Sequence, residues 1–154
     1  MANLPDGNVT ATSQGDVTKA QKDGFKILAL IRAYMTHGHY KADIDPLNLA
    51  SVYENEVTSK FKKPGHEMLQ LLDPAYYGFT EDDLDRKFFV SLPQWGGILG
   101  KEKREWTLRE IVAAMDAAYC GKIGIEYMHI PNREQCNYIR EKIELRHETP
   151  MTKE

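Results

Sequence analysis

A long helical pattern, apolar over much of its circumference, restricts the fold more than any other feature of the sequence. It begins at about Asp16 or Thr18 and continues to about Thr36. Apolar residues recur there at intervals of three and four, as on an α-helix. They form two adjacent stripes, one of Phe25, Leu28, Ile31 and Met35 and one of Ile27, Leu30 and Tyr34. A helix with so broad an apolar surface is expected to be buried on more than one side.

A capping box marks the start of a second long helix. Thr107 and Glu110 stand three residues apart in T-L-R-E, the spacing at which each side chain binds the other's backbone N–H. We expect this helix to end near Cys120, with Gly121 in the left-handed C-cap position. Its predicted buried face consists of Leu108, Ile111, Val112, Met115 and Tyr119.

Further capping residues predict shorter helical elements. Thr80 and Asp83 form another capping box, before a helix expected to carry Leu84 and Phe88 inward. Asn132 follows a proline and is expected to cap the last helix. That helix has a predicted buried stripe of Cys136, Ile139 and Ile143.

Irregular segments divide these elements. Asp-Pro pairs at 45–46 and 73–74 each predict an N-cap followed by proline in the first helical turn. KIGIEYMHI, at 122–130, is rich in β-branched and aromatic residues and is expected to be extended or a buried strand. The predicted fold is mainly α, a small helical domain of about four helices with one short extended segment. Its predicted divisions are a flexible leader (1–15), a helical domain (16–145) and a frayed tail (146–154).

Charge and composition exclude several classes of partner. The chain has 154 residues and a formal net charge of −3, so it has no overall positive field for a nucleic-acid backbone. Its longest apolar run, KILALI, is far too short to span a membrane. The acidic N-terminal stretch resembles neither a transit peptide nor a secretory signal, so either the protein is cytosolic or a presequence is missing. The two cysteines, Cys120 and Cys136, are expected to be free thiols, although the sequence does not exclude a disulfide between them.

Two histidines beside a glycine raise the possibility of a metal site. His37 and His39 flank Gly38, and Asp43 and Asp45 follow closely. Residues two apart on a helix point about 200° from each other, so the two histidines cannot share a helical face. Histidine at a helix C-terminus is also explained by the helix dipole. We therefore favour a structural role at a helix end over metal binding, with a functional polar cluster as a further alternative.

Two other groups of residues could take part in catalysis. Glu126 and His129 could in principle act as an acid–base pair, although strand alternation would place Tyr127, not Glu126, on the side of His129. Cys120 stands at the negative end of its helix, which raises the pKa of a thiol. We interpret both groups as packing residues, and we predict no catalytic, cofactor-binding or metal-binding residue in this chain.

Three stretches in order resemble the 2-oxoglutarate dehydrogenase family, specifically its thiamin diphosphate-dependent decarboxylating component. The first, IRAYMTHGHYKADIDPL, resembles the family segment AY-x-x-x-GH-x-x-A-x-LDPL. The second is LDPAYYGFTEDDLDRKFFV. The third, LREIVAAMDAAYCGKIGIEYMHIPNREQCNYIREKIE, resembles a segment with AYCG-x-IG-x-EYMHI. His39 and Asp45 match family positions, whereas His37 stands where arginine is usual.

The resemblance implies a helical region that precedes the catalytic core of that family. The parent enzyme would decarboxylate 2-oxoglutarate oxidatively and transfer the succinyl group to lipoamide, using thiamin diphosphate and Mg²⁺. Its HRGR and cofactor motifs do not occur in this sequence. The chain alone is therefore predicted to be inactive, with a structural role that braces the catalytic core.

The implied partners are the rest of the decarboxylating component, its homodimer mate and the lipoamide succinyltransferase core, without nucleic acid or membrane. The implied location is the mitochondrial matrix in a eukaryote and the cytoplasm otherwise. The alternative is a stand-alone, non-catalytic interaction module derived from the same family. The sequence leaves open whether the parent prefers 2-oxoglutarate or 2-oxoadipate.

Overall fold

The computed structural model describes residues 14–47, 66–90, 97–100 and 105–145. Within these residues the fold is mainly α, as predicted. The helices are α1 (Gln14–His37), α2 (His66–Gln70), α3 (Leu108–Tyr119) and α4 (Arg133–Glu144), and the strands are β1 (Lys87–Phe89) and β2 (Glu105–Thr107). Short 3-10 turns cover Gly38–Tyr40, Pro74–Tyr77, Glu81–Asp83 and Ile98–Gly100. Helix α3 is central, because it packs against both α1 and α4.

Helix α1 is buried over much of its circumference, as its two apolar stripes predict. Most of its apolar residues lie in the core: Ile27, Leu30, Ile31, Ala33, Tyr34 and Met35. The inclusion of Phe25 is wrong, because this side chain is 74% exposed. The face that enters the core begins at Asp23 and continues through Ile27. Phe25 is two residues from each of these, and so it points about 200° away from them.

A partly buried ion pair links α1 to Arg86, the residue before β1. The carboxylate of Asp23 binds Arg86, and Lys26 lies 3.6 Å from its other oxygen. Arg86 also lies 2.7 Å from Asp83. A buried carboxylate is tolerable only when it is paired in this way, so Asp23 sets how α1 meets the turn before β1.

The region of Thr80 to Phe88 departs from its prediction. The capping box of Thr80 and Asp83 is present, but it begins only the 3-10 turn Glu81–Asp83. Phe88 then lies on β1, where it pairs with Trp106 of β2 in an antiparallel register, and both side chains are buried. The strand was missed because its partner comes many residues later in the chain, beyond the range of a local pattern.

Helix α3 follows its prediction at the start but not at the end. Thr107 Oγ1 accepts from the N–H of Glu110 at 3.2 Å, and the Glu110 carboxylate accepts from the N–H of Thr107 at 2.9 Å. The C-cap is Cys120 with φ −111°, and Gly121 is not among the described glycines with positive φ, which are Gly78 and Gly97. The predicted left-handed cap at Gly121 is therefore wrong. The chain instead leaves α3 toward the end of α1, where the Gly121 carbonyl accepts from the N–H of Asp43 at 3.0 Å.

The segment 122–130 is irregular and has no strand partner among the described residues. It buries Tyr127 and turns at 128–129 before α4. Asn132 caps α4 as predicted, since its side-chain oxygen accepts from the N–H of Gln135 at 3.0 Å. The predicted stripe of α4 is only half-buried, and the fully buried residues of this helix are the charged Arg140 and Glu144.

Several predictions fall partly or wholly outside the described residues. Helix α1 already includes residues 14–15 of the predicted leader, and residues 1–13 are not described. Residues 45–47 are described, but a helix beginning at the Asp-Pro pair 45–46 would lie mostly in 48–65, outside the described residues. The predicted tail, 146–154, also lies outside them. The Asp-Pro pair at 73–74 does begin a helical turn, where the Asp73 carboxylate accepts from the N–H of Ala75 at 2.9 Å. None of the described helices has the length and apolar character to cross a lipid bilayer.

Candidate functional site

The histidine-flanked glycine at the end of α1 is a point of close packing. Gly38 is buried, and a Cβ atom on it would lie 2.6 Å from the Cβ of Tyr119. Any side chain at this position would collide with the last turn of α3. Gly38 thus allows the corner between α1 and the following turn to sit directly against α3.

The two histidines have different surroundings. His39 Nε2 lies 3.8 Å from Glu126 Oε1, and the His39 ring lies 4.2 Å from the Tyr40 ring, measured between centroids. Burial, and secondly the nearby charge of His39, lowers the pKa of His37. In the described part of the chain, no three His, Cys, Asp or Glu side chains lie close enough together to bind a metal ion.

The acidic residues after the histidines do not complete a group of metal-binding side chains with them in the described part of the chain. Asp43 contributes its backbone N–H to the Gly121 carbonyl, and its side chain is exposed. Asp45 is half-buried. The stronger polar contact of this corner comes from Lys41, whose ammonium lies 2.6 Å from the Asp116 carboxylate on α3. The corner is therefore a packed junction between α1 and α3.

Glu126 and His129, considered above as an acid–base pair, are also apart. Glu126 is exposed and faces His39, while His129 is exposed on the turn that follows. Tyr127, expected on the side of His129, is buried. The alternation expected of a strand fails because segment 122–130 does not belong to a sheet. The structure instead brings together His39 and Glu126, which come from two different candidate groups.

The two cysteines are free thiols. Burial, followed by the adjacent carboxylate of Asp116, raises the pKa of Cys120 to about 12. At neutral pH this thiol is protonated, so it is a poor nucleophile. The predicted direction is confirmed, although burial is the main cause. The Cys136 thiol donates to the carbonyl of Ile130 at 3.1 Å and helps to join segment 122–130 to α4.

A buried group of polar side chains was not predicted from the sequence. We call it the tyrosine–glutamate cluster: Tyr119 of α3, Tyr127, Glu144 of α4 and the N–H of Ile98. The Tyr119 hydroxyl donates to Glu144 Oε1 at 2.6 Å and lies 3.0 Å from the Tyr127 hydroxyl. The second carboxylate oxygen, Oε2, accepts from the N–H of Ile98 at 2.8 Å. The carboxylate joins α3 and the turn of Ile98 to α4, and the Tyr119 hydroxyl links Tyr127 to them as the fourth part of the chain.

The electrostatics of this cluster suit a structural role. Burial raises the pKa of Glu144, against the lowering effects of its hydrogen bonds and of Arg140. Burial also raises the pKa of Tyr127 to about 12 and that of Tyr119 further. Both hydroxyls therefore keep their protons near neutral pH and serve as hydrogen-bond donors. The cluster satisfies buried polar groups that would otherwise destabilise the fold.

The glycine next to Ile98 fits the same cluster. Gly97 has φ +64°, a conformation that favours glycine, and a Cβ atom on it would lie 2.0 Å from Glu144 Oε2. A glycine-rich loop before β2 was visible in the sequence, but nothing local linked it to the end of α4. Glu144 and Ile98 are 46 residues apart, so only the folded chain shows why this glycine is required.

Comparison with known proteins identifies relatives over almost the whole chain. The chain is 42% identical over 135 residues to a protein named mitochondrial 2-oxoglutarate dehydrogenase from Dictyostelium discoideum, which covers 88% of this chain and 12% of that protein. It is 34% identical over 152 residues to the mitochondrial 2-oxoglutarate dehydrogenase of Saccharomyces cerevisiae, covering 94% of this chain and 14% of that protein. A 2-oxoglutarate dehydrogenase E1 component from Brucella ovis is 34% identical over 135 residues, 88% of this chain and 12% of that protein. The chain matches no protein-family model.

Proposed function

This chain is homologous to one segment of the 2-oxoglutarate dehydrogenase E1 component, and from this premise we propose that it serves such a component as a non-catalytic structural domain. The observation that carries the proposal is the identity of 34–42% over about nine-tenths of the chain. The chain spans only 12–14% of the length of these relatives. The activity of a whole component is therefore proposed for the parent protein, of which this chain would supply one part.

The parent reaction under this proposal is oxidative decarboxylation of 2-oxoglutarate with succinyl transfer to lipoamide. Thiamin diphosphate and Mg²⁺ would supply the carbanion chemistry. No three His, Cys, Asp or Glu side chains lie close together among the described residues, and the proposal assigns none of the cofactor's chemistry to this chain. The proposed location is the mitochondrial matrix in a eukaryote, since two of the relatives are named as mitochondrial proteins.

The internal contacts of the domain support a bracing role. The tyrosine–glutamate cluster joins α3, α4, segment 122–130 and the loop of Ile98, and the Asp23–Arg86 pair joins α1 to β1. The carboxylates of Glu144 and Asp23 both find their partners within the chain. Such contacts make a unit that keeps its shape and can present a fixed surface to the rest of a larger protein.

The test is a chimera of the Dictyostelium relative in which its matching segment is replaced by this chain. We expect the chimera to decarboxylate 2-oxoglutarate oxidatively with added thiamin diphosphate, Mg²⁺ and an artificial electron acceptor that takes up the two electrons released, and we expect a deletion of the segment to abolish this activity. The 154-residue chain alone should show no turnover. The matched control is the same chimera with Glu144→Ala, which should lose thermal stability and activity together.

Three outcomes would contradict the proposal. Full activity of the deletion protein would show that the segment is dispensable, and turnover by the isolated chain would show that it is itself catalytic. A chimera that folds but stays inactive would favour the alternative, a non-catalytic interaction module derived from this family.

A further inference from the structure

An open cavity of about 370 Å³ lies between α1 and β1, and this volume is within the usual range of small-molecule sites. One wall is a face of α1, on which Ala20, Gly24 and Ile27 follow one another at helical spacing. The other wall includes Phe88 and Phe89 of β1. The cavity therefore has apolar walls that come from two distant parts of the sequence.

The charged side chains of this cavity are mostly cations. Lys19, Arg86 and Lys87 line it, and Asp23 is the single carboxylate among the described residues that do so. The Asp23 carboxylate is already bound by Arg86, and Lys26 lies 3.6 Å from its other oxygen. A cleft lined by one sign of charge attracts ligands of the opposite sign, so this cavity suits an anion.

Arg86 is held in place before any ligand arrives. Its Nη2 binds Asp23, its Nη1 lies 2.7 Å from Asp83, and its guanidinium carbon lies 4.4 Å from the centroid of the Phe88 ring. An ordered side chain loses little conformational entropy on binding. These two ion pairs use two of the five N–H donors of the guanidinium, which leaves donors for the oxygen of a ligand.

The two lysines of the cavity are exposed and can follow a ligand. Lys87 Nζ lies 3.5 Å from Glu105 Oε2, and both side chains are largely in water. Such a surface ion pair contributes little stability, so a ligand can take Lys87 from Glu105 at small cost. Lys19 is exposed on the first part of α1. A fixed guanidinium beside two mobile ammonium groups is a typical setting for a carboxylate or a phosphate.

Gly24 supplies an independent indication of a ligand. Glycine in the interior of a helix is less stable than alanine, yet a Cβ atom on Gly24 would meet no atom within 4 Å. Packing among the described residues therefore does not require glycine at this position. A glycine that lines a cavity allows a ligand to approach the backbone closely.

We propose that this cavity binds a small organic oxyanion, a carboxylate or a phosphate carried on an apolar body. Arg86 and the two lysines would hold the oxyanion, and the apolar body would lie between Gly24 and Phe88. Such binding does not depend on the proposed function of the domain.

Titration of the ¹⁵N-labelled chain at low salt tests this site. The probes are phenyl phosphate, benzoate and the uncharged control benzyl alcohol. We expect both anions to shift the amide signals of Gly24 and Lys87 and to saturate. Benzyl alcohol should bind at least about tenfold more weakly, because it has no charge to pair with the cations. The tighter of the two anions identifies the oxyanion as a phosphate or a carboxylate.

Two variants examine the two halves of the site. Gly24→Leu extends a side chain into the open space and should weaken binding about tenfold, while leucine remains a good helix former. The double variant Lys19→Gln with Lys87→Gln should weaken binding by a similar factor through loss of charge. Its matched control is Lys122→Gln with Lys142→Gln, two exposed lysines that do not line the cavity. Thermal melts show that each variant is folded.

Three results would overturn the inference. No saturable shift with either anion, or equal binding of benzyl alcohol, would mean that the cavity is not an oxyanion site. Equal weakening by the two lysine pairs would show that the anions respond only to the general charge of the surface. Unchanged affinity of a folded Gly24→Leu variant would place the ligand outside this cavity.

Discussion

The tyrosine–glutamate cluster and the apolar corner, by which we mean the exposed side chains of Tyr40, Ile44, Leu47 and Ile123, differ in which groups they remove from water. The cluster takes a carboxylate and two hydroxyls out of water, while the corner leaves large apolar side chains in water. Tyr119 belongs to the boundary between them. Its hydroxyl binds Glu144, and its Cβ is the atom that Gly38 must accommodate.

The difference lies in what completes each region. Each hydrogen bond described for the cluster comes from within the chain, so its polar groups are satisfied without a partner. The exposed apolar side chains of the corner contribute no hydrophobic stabilisation while they remain in water. The cluster should therefore control the stability of the isolated chain, and the exposed side chains of the corner should contribute little to it.

The first prediction concerns the loss of the cluster's carboxylate. Glu144→Ala removes the acceptor for both the Tyr119 hydroxyl, which is buried, and the Ile98 N–H, which is half-buried. We expect the free energy of unfolding to fall by about 3 kcal/mol, at the upper range for unsatisfied buried groups. Urea denaturation measures this. The control, Glu141→Ala, changes an exposed residue of the same helix and should cost less than about 0.5 kcal/mol. If both variants lowered the free energy of unfolding by the same amount, the cluster would not control the stability of the chain.

A second prediction uses two glycines of the α1 region to test the junction itself. Gly38→Ala places a methyl group 2.6 Å from Tyr119 Cβ, and we expect it to destabilise the chain by about 2 kcal/mol through overpacking. A Cβ atom on Gly24, inside α1, meets no atom within 4 Å. Gly24→Ala should therefore stabilise the chain by up to about 1 kcal/mol, the helix propensity of alanine over glycine. Thermal melts should show shifts of opposite sign, and a shift of the same sign in both would contradict the packing at Gly38.

The same contrast explains which features could be predicted from the sequence. Thr107 and Asn132 cap helices through partners three residues away, so local spacing was enough to place the starts of α3 and α4. Tyr119 and Glu144 are 25 residues apart, and their contact depends on how two helices pack. Periodicity treats Glu144 as a surface residue near a helix end, although its carboxylate is the centre of the cluster.

The errors at single residues have the same origin. Phe25 has helical spacing relative to Leu28, yet the buried face of α1 is set by Asp23 and its ion pair with Arg86, 63 residues away. His39 and Glu126 were assigned to different candidate groups, and the fold brings them within 3.8 Å. Local patterns thus gave the helices, and long-range pairing of polar groups decided which faces are buried.

A third prediction concerns pH and isolates the buried carboxylate. Because burial raises the pKa of Glu144 above its usual value of 4.5, the folded chain binds this proton more tightly than the unfolded chain does. The contribution of Glu144 to stability is therefore largest below its unfolded pKa and falls as the pH rises through the folded pKa. Glu144→Gln has no titrating group there. Measured from about pH 4 upward, the stability of the native chain relative to this variant should fall as the pH rises through the folded pKa of Glu144. If the urea midpoints of the native chain and of Glu144→Gln change with pH in the same way, then burial does not shift the pKa of Glu144.

The smallest expected effect is at the corner, and it completes the comparison. Ile44→Ala and Ile31→Ala remove the same atoms, but Ile44 is 58% exposed and Ile31 is 0% exposed. In the isolated chain Ile31→Ala should cost about 2–5 kcal/mol, whereas Ile44→Ala should cost less than about 0.5 kcal/mol. A large cost already in the isolated chain would mean that the corner belongs to the domain's own core. The division between a self-sufficient cluster and an exposed corner would then be wrong.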